Sequence, residues 1–214
     1  EGLKKMKAEI KSITKKHFKE AYKQGDITKG KNLISYEIAK RYVLNFINSE
    51  IALLKQGNTI KILELEAENK VQFDISELDF PVYLNGKVDR IDEFNGTTRI
   101  IDYKTGNVQA SHVEIVDWED INTDYKKHSK SFQVLTYVLM QHLNSKMELP
   151  VEAGIISFKN LSKGFLKFGK KDALRSRNKN NEISQETLDH FSKELKKLIL
   201  EICNPEIPFT EKEV

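Results

Sequence analysis

Apolar residues recur at helical spacing near both ends of this chain and at strand spacing through its middle. Leu3, Met6, Ile10, Ile13 and Phe18 predict a helix over residues 3–23. After the break at "GDITKGKN", Leu33, Ile34, Ile38, Val43, Phe46, Ile47, Ile51 and Leu54 predict a second helix, stopped at Gly57. The period then shortens. "TIKILELEAENKVQFDI" alternates apolar and charged residues, and "FPVYLNGKVDRIDEF" and "TTRIIDYKTG" continue the strand pattern. Residues 108–130 are polar and irregular and read as a long loop. "KSFQVLTYVLMQHLN" returns to helical spacing, and "VEAGIISF" and "KGFLKF" read as strands. "KKDALRSRNKNN" reads as a basic loop. A last helix starts at "ISQETL", with Ser184 as N-cap and Ile183 and Leu188 as a hydrophobic staple, and ends before Asn204-Pro205. Helices, strands, helix, strands, helix is the order of an α/β (α+β) fold around a central sheet.

The 214 residues suffice for one sizeable core. They are expected to form a single domain: a helical part over 1–55, a sheet and helix over 56–168, and a basic loop with a terminal helix over 169–214. With Glu1 in place of an initiating Met, a piece of a longer protein is expected. The net charge of +3 is too balanced to name a nucleic-acid partner. One cysteine, Cys203, excludes an internal disulfide and a thiolate-held iron–sulfur cluster built from this chain. No apolar run reaches spanning length and no signal peptide is visible, so a cytoplasmic location is expected, without a membrane partner.

The chemistry concentrates in two adjoining strands. In "FNGT", the Asn95-Gly96 pair is a strong hairpin signal. Counting back from that turn, Phe94 pairs with Thr97, Glu93 with Thr98, Ile91 with Ile100 and Asp89 with Asp102. Two carboxylates then face each other with Cβ atoms about 5 Å apart, an arrangement that destabilises a sheet unless a cation intervenes. Lys104 follows on the same face, and alternation turns Val88, Ile101 and Tyr103 to the other. Lys104 offsets only one charge, whereas Mg²⁺ binds through one or two carboxylates and retains water.

Asp89, then Asp102-Tyr103-Lys104, then "QVLTY" on the next helix, resembles the PD-(D/E)XK nuclease superfamily. "GKVDRID…RIIDYKTG" is most similar to its RecB- and AddB-type branch, the nuclease domains of helicase–nuclease recombination proteins. The resemblance covers roughly residues 30–160. It implies a restriction-endonuclease-like mixed sheet flanked by helices. It implies Asp89, Asp102 and the Tyr103 backbone carbonyl as ligands of Mg²⁺ (or Mn²⁺), with Lys104 as the catalytic lysine. Gln133 and Tyr137 would orient Lys104 and touch the nucleic-acid strand. A further acidic ligand usually comes from the preceding strand. There Glu66 is the choice among Glu64, Glu66 and Glu68, and a solvated acidic face fits the same residues. The implied activity is a Mg²⁺-dependent (exo)deoxyribonuclease acting on single-stranded DNA ends delivered by a helicase, in recombination and repair. The chain has no phosphate-binding loop of its own.

The chain departs from that branch in two ways. Its upstream "G-x-x-x-H" histidine has no counterpart: His17 stands in "TKKHFKE", and His112, His128 and His142 are also unmatched. An incomplete metal site and weak activity are therefore expected of these residues alone. A catalytically inactive nuclease fold that guides DNA or binds a subunit is the alternative. The cluster cysteines of some relatives are also absent. Lys159, Lys163, Lys167, Lys170, Lys171, Arg175, Arg177 and Lys179 fit either a phosphate track or a solvated loop.

Overall fold

A computed structural model describes residues 2–23, 25–144 and 147–210. Its centre is a five-stranded sheet in the order β1 (Ile60–Phe73), β2 (Val82–Phe94), β3 (Thr97–Lys104), β5 (Glu152–Ser157), β6 (Phe165–Lys167). Neighbours are antiparallel except β3 and β5, which run parallel. The sheet is thus mixed and flanked by helices, as in restriction endonucleases. A small second sheet joins β4 (Glu114–Ile115), β7 (Gly169–Lys171) and β8 (Lys179–Asn180).

The β2–β3 hairpin has the register that its turn dictates. Asn95 and Gly96 take φ of +51° and +86°, as a two-residue primed turn requires. Phe94 pairs with Thr97, Glu93 with Thr98 and Ile91 with Ile100. Asn95 is held as well, its side-chain oxygen accepting the Thr59 N–H at 2.8 Å.

Two helices cover opposite sides of this hairpin. α4 (Tyr125–Leu143) packs a stripe of Val134, Leu135, Val138 and Leu139 into a core with Ile100, Ile155, Phe168 and Phe191. α2 (Gly30–Lys55) lies against the other face through Phe46, Ile47 and Glu50, and α1 (Gly2–Ala21) packs on α2. α5 (Gln185–Cys203) closes the core. Ser184 Oγ accepts the Thr187 N–H, and Ile183 and Leu188 beside this cap are buried.

Four expectations are corrected. α4 starts at Tyr125, not Lys130, because Asp124 caps it by accepting the Lys127 N–H at 3.0 Å. Its first inward positions are the polar His128 and Ser131, so hydrophobic periodicity emerges only later. The stretch 108–130 also holds a 3₁₀ turn, β4 and the short α3 (Asp120–Thr123). The basic loop carries β7 and β8 at its ends, tied to β4 by Glu114, which pairs with Lys171 at 2.6 Å and Lys179 at 3.1 Å.

The fourth correction concerns the pleat of β2. Gly86 faces α4, since a Cβ there would meet Met140 Cε at 2.8 Å. Val88 and Ile91, an odd number of residues apart, both join the core that contains Ile100. Strict alternation therefore breaks between them, and Val88 does not turn away. The break lies at Asp89, where the β1–β2 ladder passes over Glu66 and Asp89 together. Glu66 has φ of +53°, a conformation that interrupts the run of a strand.

Candidate active site

The site is built where β2 and β3 part company. Their ladder ends at Arg90 and Ile101. One step on, the Asp89 side chain replaces a backbone acceptor: its Oδ2 takes the Tyr103 N–H at 2.7 Å. This bond fixes the Asp89 carboxylate beside the backbone of the Asp102-Tyr103-Lys104 segment.

Asp102 is 3 % exposed, between the buried Ile101 and the half-buried Tyr103. Burial pushes its pKa up, Lys104 pulls it down, and the nearby Asp89 charge adds to the rise. Lys104 Nζ stands 2.8 Å from Asp102 Oδ2 and pairs with its charge. Lys104 also donates to Gln133 Oε1 at 2.9 Å. Gln133 Nε2 donates in turn to the Tyr137 hydroxyl at 2.8 Å. With its nitrogen committed to Tyr137, the amide presents its oxygen to the ammonium. Burial raises the Tyr137 pKa, and the charges of Asp102 and Asp89 also act upward on it.

Asp89, Asp102, Lys104, Gln133 and Tyr137 are therefore brought together. Glu66, passed over together with Asp89 in the β1–β2 ladder, has an exposed carboxylate 2.6 Å from Lys87 Nζ. Among the described residues no three His, Cys, Asp or Glu side chains form a metal cage. His17 lies exposed on α1 beside Glu20. Two carboxylates, Asp89 and Asp102, are hard oxygen donors of the kind that suits a hydrated Mg²⁺, which needs few protein ligands.

The phosphate track is shortened by its own ion pairs. Lys167 is held by Glu152 at 2.6 Å, Lys171 and Lys179 by Glu114, and Lys170 donates to a backbone carbonyl.

The face of the hairpin toward α2 carries a second polar cluster that sequence reasoning missed. Asp92 accepts both Arg99 Nε and Nη2 at 2.8 Å and also pairs with Arg90. Arg90 reaches Glu50 of α2 at 3.0 Å and the Tyr103 hydroxyl at 3.3 Å. All four charged groups are nearly inaccessible. Burial alone would lower the Arg90 pKa, but Tyr103, Glu50 and Asp92 hold it above its ordinary value. Arg99 also lies over Phe94 and Phe165, and Tyr103 packs on Phe46 and Phe158. The signal was present: the register counted back from the Asn95-Gly96 turn sets Asp92 opposite Arg99.

Compared with known families, residues 1–213 match the model of the PD-(D/E)XK nuclease superfamily. The chain belongs to the PD-(D/E)XK nuclease superfamily. Asp89, Asp102 and Lys104 are gathered at the end of the β2–β3 ladder by the Tyr103 N–H and the Asp102–Lys104 ion pair. No curated protein matches the chain significantly. Among the described residues, no helix is long and apolar enough to cross a membrane.

Proposed function

We propose that this PD-(D/E)XK chain is a Mg²⁺-dependent deoxyribonuclease of the RecB and AddB kind, hydrolysing phosphodiester bonds in DNA recombination or repair. Single-stranded ends delivered by a helicase are its substrate on this reading. The observation that carries it is the position of Lys104, held between the Asp102 carboxylate and the oriented amide of Gln133.

Asp89 and Asp102, with the Tyr103 carbonyl, would hold the metal. When bound, Mg²⁺ polarises a phosphoryl oxygen and makes coordinated water a better nucleophile. The protein's own contribution is position. Asp89 is fixed by the Tyr103 N–H, so its carboxylate needs no reorganisation on binding a cation. Lys104 directs one N–H at Gln133 and lies beside Asp102, which leaves its third donor for the attacking water or a phosphate oxygen. As the phosphorus accepts the incoming oxygen and releases the leaving oxygen, the ammonium stabilises the added negative charge. Tyr137 acts at one remove by fixing which way the Gln133 amide faces.

The test is cleavage of end-labelled single-stranded DNA with Mg²⁺ or Mn²⁺, comparing the native chain with Lys104→Ala. The expected result is metal-dependent cleavage that falls about 10²–10³-fold in Lys104→Ala. Mn²⁺ should support more activity than Mg²⁺, because it binds such ligands more tightly. Absence of Lys104-dependent cleavage with either metal would overturn the reading.

A further inference from the structure

Beside Lys104 a groove of about 640 Å³ opens between α4 and the Asn85-Gly86 segment of β2. Tyr125, Ser129, Gln133 and Tyr137 all line it, and they follow one another at intervals of four along α4. Residues so spaced share a helix face, so the groove follows α4 and passes Lys104 on its way. Gly86 keeps it open at the far end, where a Cβ would press on Met140.

Tyr125 stands at the first turn of α4 and is 79 % exposed. It makes no ring stacking, cation–π contact or hydrogen bond among the described residues. Tyr137, on the same stripe, is committed to Gln133. An aromatic ring left bare on the wall of a groove that contains the catalytic lysine has its face free for a planar ligand. The cations around it are equally uncommitted. Lys126 and Lys127 are exposed, Lys130 lines the groove, and none of the three forms an ion pair among the described residues. Lys130 is near enough to Asp102 to act on its charge.

We propose that Tyr125 is a base-stacking residue that makes the site selective for single-stranded DNA, with Lys130 and its neighbours on the flanking phosphates. The inference rests on the nuclease reading for the identity of the polymer. Eight residues of helix separate Tyr125 from Gln133, about 12 Å along the axis. That is roughly three to four nucleotides at the 3.4 Å rise of a stacked strand. The ring therefore meets a base a few nucleotides from the scissile bond. In a duplex the faces of each base are covered by its neighbours, so a side chain can stack only on an unpaired or frayed base. Stacking is indifferent to sequence, because every base has a π-face. The groove therefore selects for strandedness and not for a particular base.

The experiment measures binding apart from cleavage. A fluorescein-labelled 15-nucleotide single strand and a blunt hairpin duplex of equal length are titrated with the chain in EDTA, and anisotropy is followed. Tyr125→Ala is expected to weaken single-strand binding roughly 5- to 100-fold and leave duplex binding unchanged. Tyr125→Trp should retain or strengthen single-strand binding. The side chain is exposed, so both variants should fold, which circular dichroism confirms. Unchanged single-strand affinity in Tyr125→Ala, an equal loss for both substrates, or no measurable binding of the single strand by the native chain would each overturn the proposal. The two readings separate cleanly. Tyr125-dependent binding without Lys104-dependent cleavage sinks the nuclease reading alone, and intact cleavage with no effect of Tyr125→Ala on binding or strand preference sinks this one alone.

Discussion

Arg99, Asp102, Tyr103 and Lys104 sit on one short strand and serve both of its faces. Toward α4 the strand offers Asp102 and Lys104; toward α2 it offers Arg99 and the Tyr103 ring. The two faces are coupled through Tyr103. Its backbone N–H holds Asp89, and its hydroxyl accepts from Arg90. Arg90 is the cation that Glu50 and Asp92 share. Arg90→Met would keep the volume and strand two carboxylates in a dry site, with only Arg99 left to answer Asp92. The expected cost is about 3–5 kcal/mol of stability, the usual penalty for breaking a buried ion pair from one side. Urea unfolding of the two proteins measures it, and a loss below about 1 kcal/mol would mean that water reaches the cluster after the substitution. The register of the hairpin as far as Arg90 and Ile101 was legible from the Asn95-Gly96 turn alone. The bond from the Tyr103 N–H to Asp89 was not, because counting register assumes that a ladder continues, and here a side chain ends it.

At the scale of elements, the edge of the sheet depends on one missing side chain. A Cβ at Gly154 would lie 2.1 Å from the Leu166 carbonyl oxygen, an atom of the paired backbone of β6. No rotamer relieves that contact, so Gly154→Ala should separate β5 from β6 and cost about 3 kcal/mol or more. Gly86→Ala is the fitting control, since it meets the flexible end of Met140, which can swing aside. Thermal melts of the pair should show a much larger drop for Gly154→Ala, and equal drops would contradict the account. Sequence periodicity found β1, β2, β3, β5 and the two long terminal helices because each has several apolar residues at a regular interval. It failed where the inward residues are few or polar. β4, β7 and β8 are two or three residues long and are fixed by Glu114 and its two lysines, a long-range ion pairing with no local signature. The first turns of α4 were lost for the same reason, with His128 and Ser131 in place of aliphatic residues.

At the scale of the whole molecule, stability should have an acid limb. His128 is 1 % exposed, and burial, aided by the Lys127 charge, lowers its pKa against the opposing pull of Asp120 and Asp124. His112, across the α4 packing, is lowered by burial and by Lys130. A histidine whose folded pKa lies below its unfolded value of about 6.5 binds a proton more readily when unfolded. Stability is then full above pH about 6.5 and is lost as the pH falls below it toward the folded pKa. Melting temperatures from pH 8 to 5 should fall through this window, and the fall should be shallower in His128→Gln. An identical slope in the two proteins would place the acid limb on other groups.

The parallel pairing of β3 with β5 bears on when the chain becomes a nuclease at all. Asp102 lies against Ile155 and Lys104 against Ser157, while Gln133 belongs to the crossover between those strands. On the ribosome, Asp89, Asp102 and Lys104 emerge as part of a hairpin that closes by local contacts. The strand that seats them is made only after α4 has been synthesised, and a parallel neighbour cannot be reached by a tight turn. The hairpin can thus close early, while its seating against β5 waits on a non-local docking step. A nascent chain is therefore expected to hold these side chains before it holds the sheet that seats them.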